Sequence, residues 1–154
     1  MGLGVDAHAF DASRALVLGG VTIPDAPGLG GHSDADVLSH AIGDALLSAA
    51  GLSDIGESYP NSERWRDASS LMILADIAAS VAGAGWTIAN VDATVIAEAP
   101  KLAPFRRAMI TNVAGALEIP ASCVWVKATT TDGLGFAGRG EGIAAIAVAL
   151  VESS

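Results

Sequence analysis

The sequence predicts an α+β (α/β-like) fold, a single domain whose mixed β-sheet carries helices on one face. Three observations carry that reading. Stretches with apolar residues at the 3.6-residue helical spacing alternate with stretches whose apolar residues recur every second position. Their order, strand, hairpin, helix, loop, helix, strand, helix, strand, strand, stacks helices on one side of a mixed sheet. The last apolar stretch, residues 143–151, puts Ala144, Ile146, Val148 and Leu150 on one face and alanines on the other, which suits a buried strand whose outer face a partner subunit covers, with an alanine-rich helix as the competing reading.

The elements follow in order. Residues 2–8 read as a strand with Leu3 and Val5 on one face and Asp6 and His8 just beyond. Residues 16–18, a Gly19-Gly20 turn and residues 21–23 read as a short hairpin. A Pro- and Gly-rich loop, residues 24–31, then delivers the chain to His32. The next helix is expected to start at Ser33, whose hydroxyl can cap the first turn, and to stop at Gly51. Val37, Leu38, Ala41, Ile42, Ala45, Leu46 and Ala49 form its apolar stripe, while Asp36, His40 and Asp44 fall four apart on another face.

Residues 52–68 read as irregular, 70–82 as a helix ended by Gly83 and Gly85, and 88–97 as a strand with Val91, Ala93, Val95 and Ala97 on one face. Pro104 fits the first turn of a helix reaching about Leu117. Residues 124–129 are a strand that ends in three threonines and Asp132, hydroxyls and a carboxylate suited to phosphate oxygens or their cations. The glycine-rich 133–142 stretch lacks the lysine of a P-loop and is a weak signal alone.

Composition narrows the function. The 154 residues carry 8 basic and 17 acidic side chains, a net charge of −9, so no basic stripe is available for nucleic acid. If the substrate carries phosphates, divalent metals rather than an arginine cluster must offset the charge. Hydrophobic residues make up 51 %, with a mean hydropathy of +0.49. The excess points to an oligomer interface. A single cysteine, Cys123, rules out an internal disulfide and a Cys-based zinc site, and suits a cytoplasmic setting. No apolar run reaches the ~18 residues of a membrane span. Asp6 and His8, two apart on a strand, and His40 on the helix supply three N/O donors, enough for a catalytic zinc with one open position.

Five motifs now carry a resemblance: GVDAHAF, GGHSDADVLSHAIGDALL, LSDIGESYP, NVDATVIAEAPKLAPF and VKATTTDGLGFAGRGEGIAAIAVALV, in that order and nearly end to end. Together they resemble the 2-C-methyl-D-erythritol 2,4-cyclodiphosphate synthase family of the non-mevalonate isoprenoid pathway. The resemblance implies a homotrimer with active sites between subunits, and cyclisation of 4-cytidylyldiphospho-2-C-methyl-D-erythritol 2-phosphate with loss of CMP. It implies that Asp6, His8 and His40 hold zinc, that His32 and Thr130 stabilise the transition state, and that Ser33 holds phosphate. Asp54, Ile55 and Gly56 would bind the sugar portions, and Tyr59, Asn61 and Glu63 would line the methylerythritol pocket. Ala97, Pro100, Lys101, Leu102 and Ala103 would clasp cytosine, and Thr129, Thr130, Thr131, Asp132, Phe136 and Arg139 would complete the nucleotide and phosphate side.

Two positions depart from the family pattern. Asp132 stands where glutamate is frequent, at the position implied to hold magnesium or manganese with the diphosphate, and Asn61 replaces a frequent aspartate. Two other readings compete: a non-catalytic trimer binding isoprenoid diphosphates in an apolar axial cavity, motivated by the last strand and Arg139, and a metal-dependent phosphohydrolase.

Overall fold

The computed structural model describes residues 1–60, 65 and 68–154. Its strands are β1 (Gly2–Leu18), β2 (Val21–Leu29), β3 (Trp86–Ile96), β4 (Val124–Thr129) and β5 (Gly142–Ser153), and its helices are α1 (Val37–Ala49), α2 (Ile55–Ser58), α3 (Ser70–Gly83), α4 (Arg106–Ala116) and α5 (Gly135–Gly138). The strands form one mixed sheet in the order β2-β1-β5-β3-β4. Only β3 and β4 are parallel among these pairs, and α4 makes the crossover that a parallel pair requires.

Alternation along β1 and β5 decides where the helices sit. Gly2 and Gly4 of β1 pair with Ala149 and Ala147 of β5, giving a floor of glycine and alanine on one face. α1 lies directly on it. A Cβ on Gly2 would fall 2.1 Å from the Ala45 carbonyl oxygen, and one on Gly4 2.0 Å from that of Ala41. The helix backbone therefore touches the strand backbone, and any larger residue would lift it off. Leu38, Ile42 and Leu46 of α1 then pack with Leu74, Ile77 and Val81 of α3 and with Val91 and Val95 of β3 in the buried core.

The opposite face is open in the single chain. Leu3 and Val5 remain 60 % and 57 % exposed, beside Ile146, Val148 and Leu150 of β5. The alternation expected for residues 143–151 is present: Ala145, Ala147 and Ala149 face the helices and the larger residues face out.

Four boundaries differ from the sequence expectation. The hairpin is far longer than residues 16–23: β1 is a continuous strand with irregular register between Asp11 and Leu16, and β2 absorbs most of the expected 24–31 loop. Pro24 and Pro27 misled because β2 is an edge strand, where one row of N–H groups has no ladder partner and proline costs little. The α1 cap is Asp36 rather than Ser33, its carboxylate accepting from Ser39 N at 3.0 Å. Ala35, at φ +57°, cannot continue a helix backward to Ser33. Residues 55–58 form a helical turn capped by Asp54 within the stretch expected to be irregular, and α4 begins at Arg106, two residues after Pro104. No helix among the described residues is long and apolar enough to cross a membrane.

Candidate active site

Asp6 and His8 project from β1 toward the α1 side because they continue the Gly2, Gly4 alternation, and the close approach of α1 brings His40 to them. The Asp6 carboxylate oxygen Oδ2 lies 2.9 Å from His8 Nε2 and 3.1 Å from His40 Nδ1, and the two ring nitrogens lie 3.4 Å apart. Each ring is oriented from behind. His8 Nδ1 sits 2.6 Å from the Gly30 carbonyl oxygen, which can only accept, so Nδ1 carries the hydrogen and Nε2 presents a lone pair to the cluster. Ser70 Oγ donates to Asp34 and therefore accepts from His40 Nε2, 3.0 Å away, leaving the lone pair on Nδ1. Ser33 Oγ is a second neighbour of His40 Nε2 at 3.1 Å.

Two lone pairs and a carboxylate oxygen gathered this closely require a positive charge among them. Without a metal, that charge is a proton. The hydrogen bond to Asp6 raises the His8 pKa above its usual range, while Asp6, despite a burial effect in the other direction, is held well below the usual carboxylate range by His40 and His8. A tetrahedral ion with donor bonds of about 2.0–2.1 Å sets its donors about 3.3 Å apart. The three observed separations are close to that edge, and the second imidazole nitrogens are fixed as metal ligands require. The donor set fits a zinc-like cation, and these three residues form the metal-competent group found among the described residues.

The cluster opens into a cavity of about 420 Å³ whose wall includes His32, Ser33, Asp44, Ile55, Gly56, Tyr59, Trp65 and Ile73. His32 presents a buried Nδ1 with no protein partner. Its backbone is pinned by Arg14, which donates to the carbonyls of Gly31 and Ser33. Asp44, one turn beyond His40, accepts from Ile55 N at 2.9 Å and so ties the α2 turn to α1. Burial raises the Asp44 pKa, an effect the Ile55 amide opposes. Tyr59 donates to Asp76 at 2.7 Å and meets Trp65 edge-on.

Some expected residues stand elsewhere. Asp54 is not on the cavity wall, and its carboxylate accepts from Glu57 N at 2.8 Å. Asn61 and Glu63 lie outside the described residues. Asp36 is fully buried away from the cluster, accepting from Gly20 N at 2.8 Å and from Ser39 N and Oγ, which joins the hairpin turn to α1.

The remaining expected residues lie elsewhere, residues 97–103 and 129–132 at and just beyond the ends of β3 and β4, and Phe136 and Arg139 in and beside α5. His8 pairs with Ile143, whose neighbour Ala144 pairs with Ile96, which pairs with Thr129. All stand at one level of the sheet, but three inter-strand spacings put β1 and β4 about 14 Å apart. Ala97, Pro100, Lys101, Leu102, Ala103, Thr129, Thr130, Thr131, Asp132, Phe136 and Arg139 do not line the metal-side cavity. Beside Leu102 and Ala103 the enclosed space is about 10 Å³, room for a water at most. Thr130 Oγ1 donates to Asp132 at 3.3 Å, and Arg139 pairs with Glu141 at 2.7 Å. Sequence reasoning missed Arg14, Ser70 and Glu98; no spacing ties them to the groups they hold.

Residues 1–152 match the YgbB family over nearly the whole chain. The chain belongs to the YgbB family. A 2-C-methyl-D-erythritol 2,4-cyclodiphosphate synthase from Syntrophomonas wolfei is 53 % identical over 155 residues, covering 100 % of this chain and 99 % of that protein. The synthase of the same name from Rubrobacter xylanophilus is 56 % identical, covering 99 % of this chain and 94 % of its own. Among solved structures, the IspF–CDP complex of Plasmodium falciparum superposes with a TM-score of 0.86 at 33 % identity, covering 99 % of this chain and 95 % of that one. The bifunctional IspDF of Campylobacter jejuni gives a TM-score of 0.95 at 42 % identity, and this chain spans 42 % of its length. The resemblance read from the motifs is thus shown at the level of the YgbB family.

Proposed function

We infer that this chain is a cyclising phosphorus–oxygen lyase that converts 4-cytidylyldiphospho-2-C-methyl-D-erythritol 2-phosphate to 2-C-methyl-D-erythritol 2,4-cyclodiphosphate and CMP. The observation that carries the reading is the convergence of Asp6, His8 and His40 at one end of a cavity, in a chain more than half identical to synthases of that name. An oxygen of the substrate's own 2-phosphate attacks the β-phosphorus, the bond from that phosphorus to the bridging oxygen breaks, and CMP leaves with the oxygen. The protein therefore supplies position and charge rather than a nucleophile.

Asp6, His8 and His40 would hold zinc, whose chemistry is to polarise a phosphate oxygen and offset its charge. His32 and Thr130 stabilise the transition state: His32, on the cavity wall, and the Thr130 hydroxyl are the groups offered to phosphate oxygens. Ser33 holds phosphate. Asp54, Ile55, Gly56, Tyr59, Asn61 and Glu63 take the methylerythritol portion, Ala97, Pro100, Lys101, Leu102 and Ala103 take cytosine, and Thr129, Thr131, Phe136 and Arg139 complete the phosphate side. Asp132, on an exposed turn, is the residue for magnesium or manganese accompanying the diphosphate.

Residues 1–154 act as one synthase domain, in a cytoplasmic setting suited to a chain with one cysteine. Because the two sets of residues share no cavity within one chain, the working site is completed by a second copy. The uncovered apolar face of β1 and β5 supports a homotrimer. The same apolar face favours an isoprenoid diphosphate as an additional ligand of the axial cavity, with Arg139, paired with Glu141 in the single chain, as the cation for its phosphates. Incubating the protein with the cytidylyl substrate, zinc and magnesium tests the central reading. CMP together with the cyclic diphosphate is expected; a linear diphosphate would mean that water had replaced the internal phosphate, and would overturn it.

A further inference from the structure

We propose that Glu98 is the positioning residue that shapes the 130–133 turn and joins it to the segment that clasps the base. The proposal rests on the reading that this turn handles the substrate's phosphates.

The parallel pairing ends at Ile96 and Thr129, just past which Ala97 N donates to the Thr129 carbonyl at 3.0 Å. Glu98 links the two segments beyond that bond. One of its carboxylate oxygens, Oε1, accepts from Thr131 N at 2.8 Å and from Gly133 N at 3.3 Å, and lies 3.0 Å from Thr131 Oγ1. The hydroxyl also reaches the Leu134 carbonyl at 2.6 Å, and its single hydrogen serves one acceptor at a time. The two amides are the constant part of the grip.

Those amides flank Asp132, whose φ is +53°, and Gly133 follows at +82°. A left-handed backbone is unfavourable for an aspartate and persists only where its surroundings hold it. Neighbouring amides turned to one side by such a conformation form a nest for an anion. Here the chain's own carboxylate occupies that nest. Hydrogen bonds from the Thr131 and Gly133 amides hold Glu98 below the usual carboxylate range, so it stays ionised at neutral pH. What the turn leaves to a ligand is then the Thr130 hydroxyl and the Asp132 carboxylate, presented in a fixed relation. Glu98 also stands two residues before Pro100. It fastens the base side to the phosphate side without touching the metal cluster.

The test compares Glu98→Ala, Glu98→Gln and Glu98→Asp with the parent protein. Readouts are CMP affinity by calorimetry, KM and kcat, bound zinc, and amide hydrogen exchange at Thr131 and Gly133. Glu98→Ala is expected to weaken CMP binding and raise KM about tenfold, speed exchange at both amides, and leave bound zinc unchanged. Glu98→Gln keeps an acceptor at the same reach but loses the charge that strengthens its bonds to the two amides, and should fall between the parent and alanine. Glu98→Asp keeps the charge but withdraws it by one methylene, and should behave nearly as badly as alanine; it also stands in if the alanine variant fails to fold. Parental CMP affinity and amide exchange in the alanine variant or in the aspartate variant would overturn the proposal. A parent protein that forms no CMP from the cytidylyl substrate would instead sink the functional reading.

Discussion

The Asp6, His8 and His40 cluster and the 130–133 turn at the ends of β3 and β4, proposed above as the metal side and the nucleotide side, are built in opposite ways. Asp6, His8 and His40 sit on a strand and a helix whose backbones touch through Gly2 and Gly4, and each imidazole is locked from behind by Gly30 or Ser70. The nucleotide side consists of strand ends and an exposed turn held across by one carboxylate, Glu98. A tetrahedral ion tolerates errors of only a few tenths of an ångström in its donors, so those donors stand on regular elements within one chain. A cytidine diphosphate portion has many contacts and some freedom, and loops at a subunit boundary can receive it. Precision is concentrated where the cation's geometry demands it.

The largest effect that would break this contrast is at the cluster itself. His40→Ala should abolish bound zinc and lower turnover by more than the ~100-fold that loss of an outer partner costs, with the fold intact by circular dichroism; full zinc content in that variant would refute the ligand set. Ser70→Ala removes the acceptor that holds the His40 Nε2 hydrogen and should weaken zinc by about 10-fold to 100-fold, read by competition with a chelator. Ser33 Oγ stays within reach of the same nitrogen, which favours the lower end. A smaller change sharpens the comparison inside α1. Asp36→Asn turns its NH₂ toward either Gly20 N or Ser39 N, both donors bound to different carboxylate oxygens, in a site with no solvent exposure. It should cost about 1–3 kcal/mol of stability, seen as a lower Tm, while zinc per folded chain stays at the parental value.

That contrast also explains what was legible in the sequence. α1 and α3 declared themselves by periodicity because their apolar stripes meet the core, and β5 by its split between alanines and larger residues. The Asp6, His8 pair was legible because two-residue spacing places both on one side of a strand. Its meeting with His40, 32 residues beyond His8, was not. That juxtaposition depends on Gly2 and Gly4 letting α1 down onto β1; residue type offered the three donors, and their meeting had to be assumed. The stack of Asp36, His40 and Asp44 was half right. Asp36 is the cap, with ψ of 89°, so it leaves the helical path and turns into the core. β2 was hidden by its prolines. Arg14 and Glu98 act on backbone groups 17 to 35 residues away, and such side-chain to backbone bonds leave no periodic trace.

The central claim is that one subunit supplies the metal side and another the nucleotide side of each site. Subunit complementation tests it most directly, by mixing two inactive variants, His40→Ala and Thr130→Ala combined with Asp132→Ala, under conditions that exchange subunits. In randomly mixed rings, a site whose halves come from different chains is intact about one time in four, so activity should return to roughly a quarter of the parental value. Mixtures that exchange subunits and still form no CMP would place both halves in one chain and contradict the account.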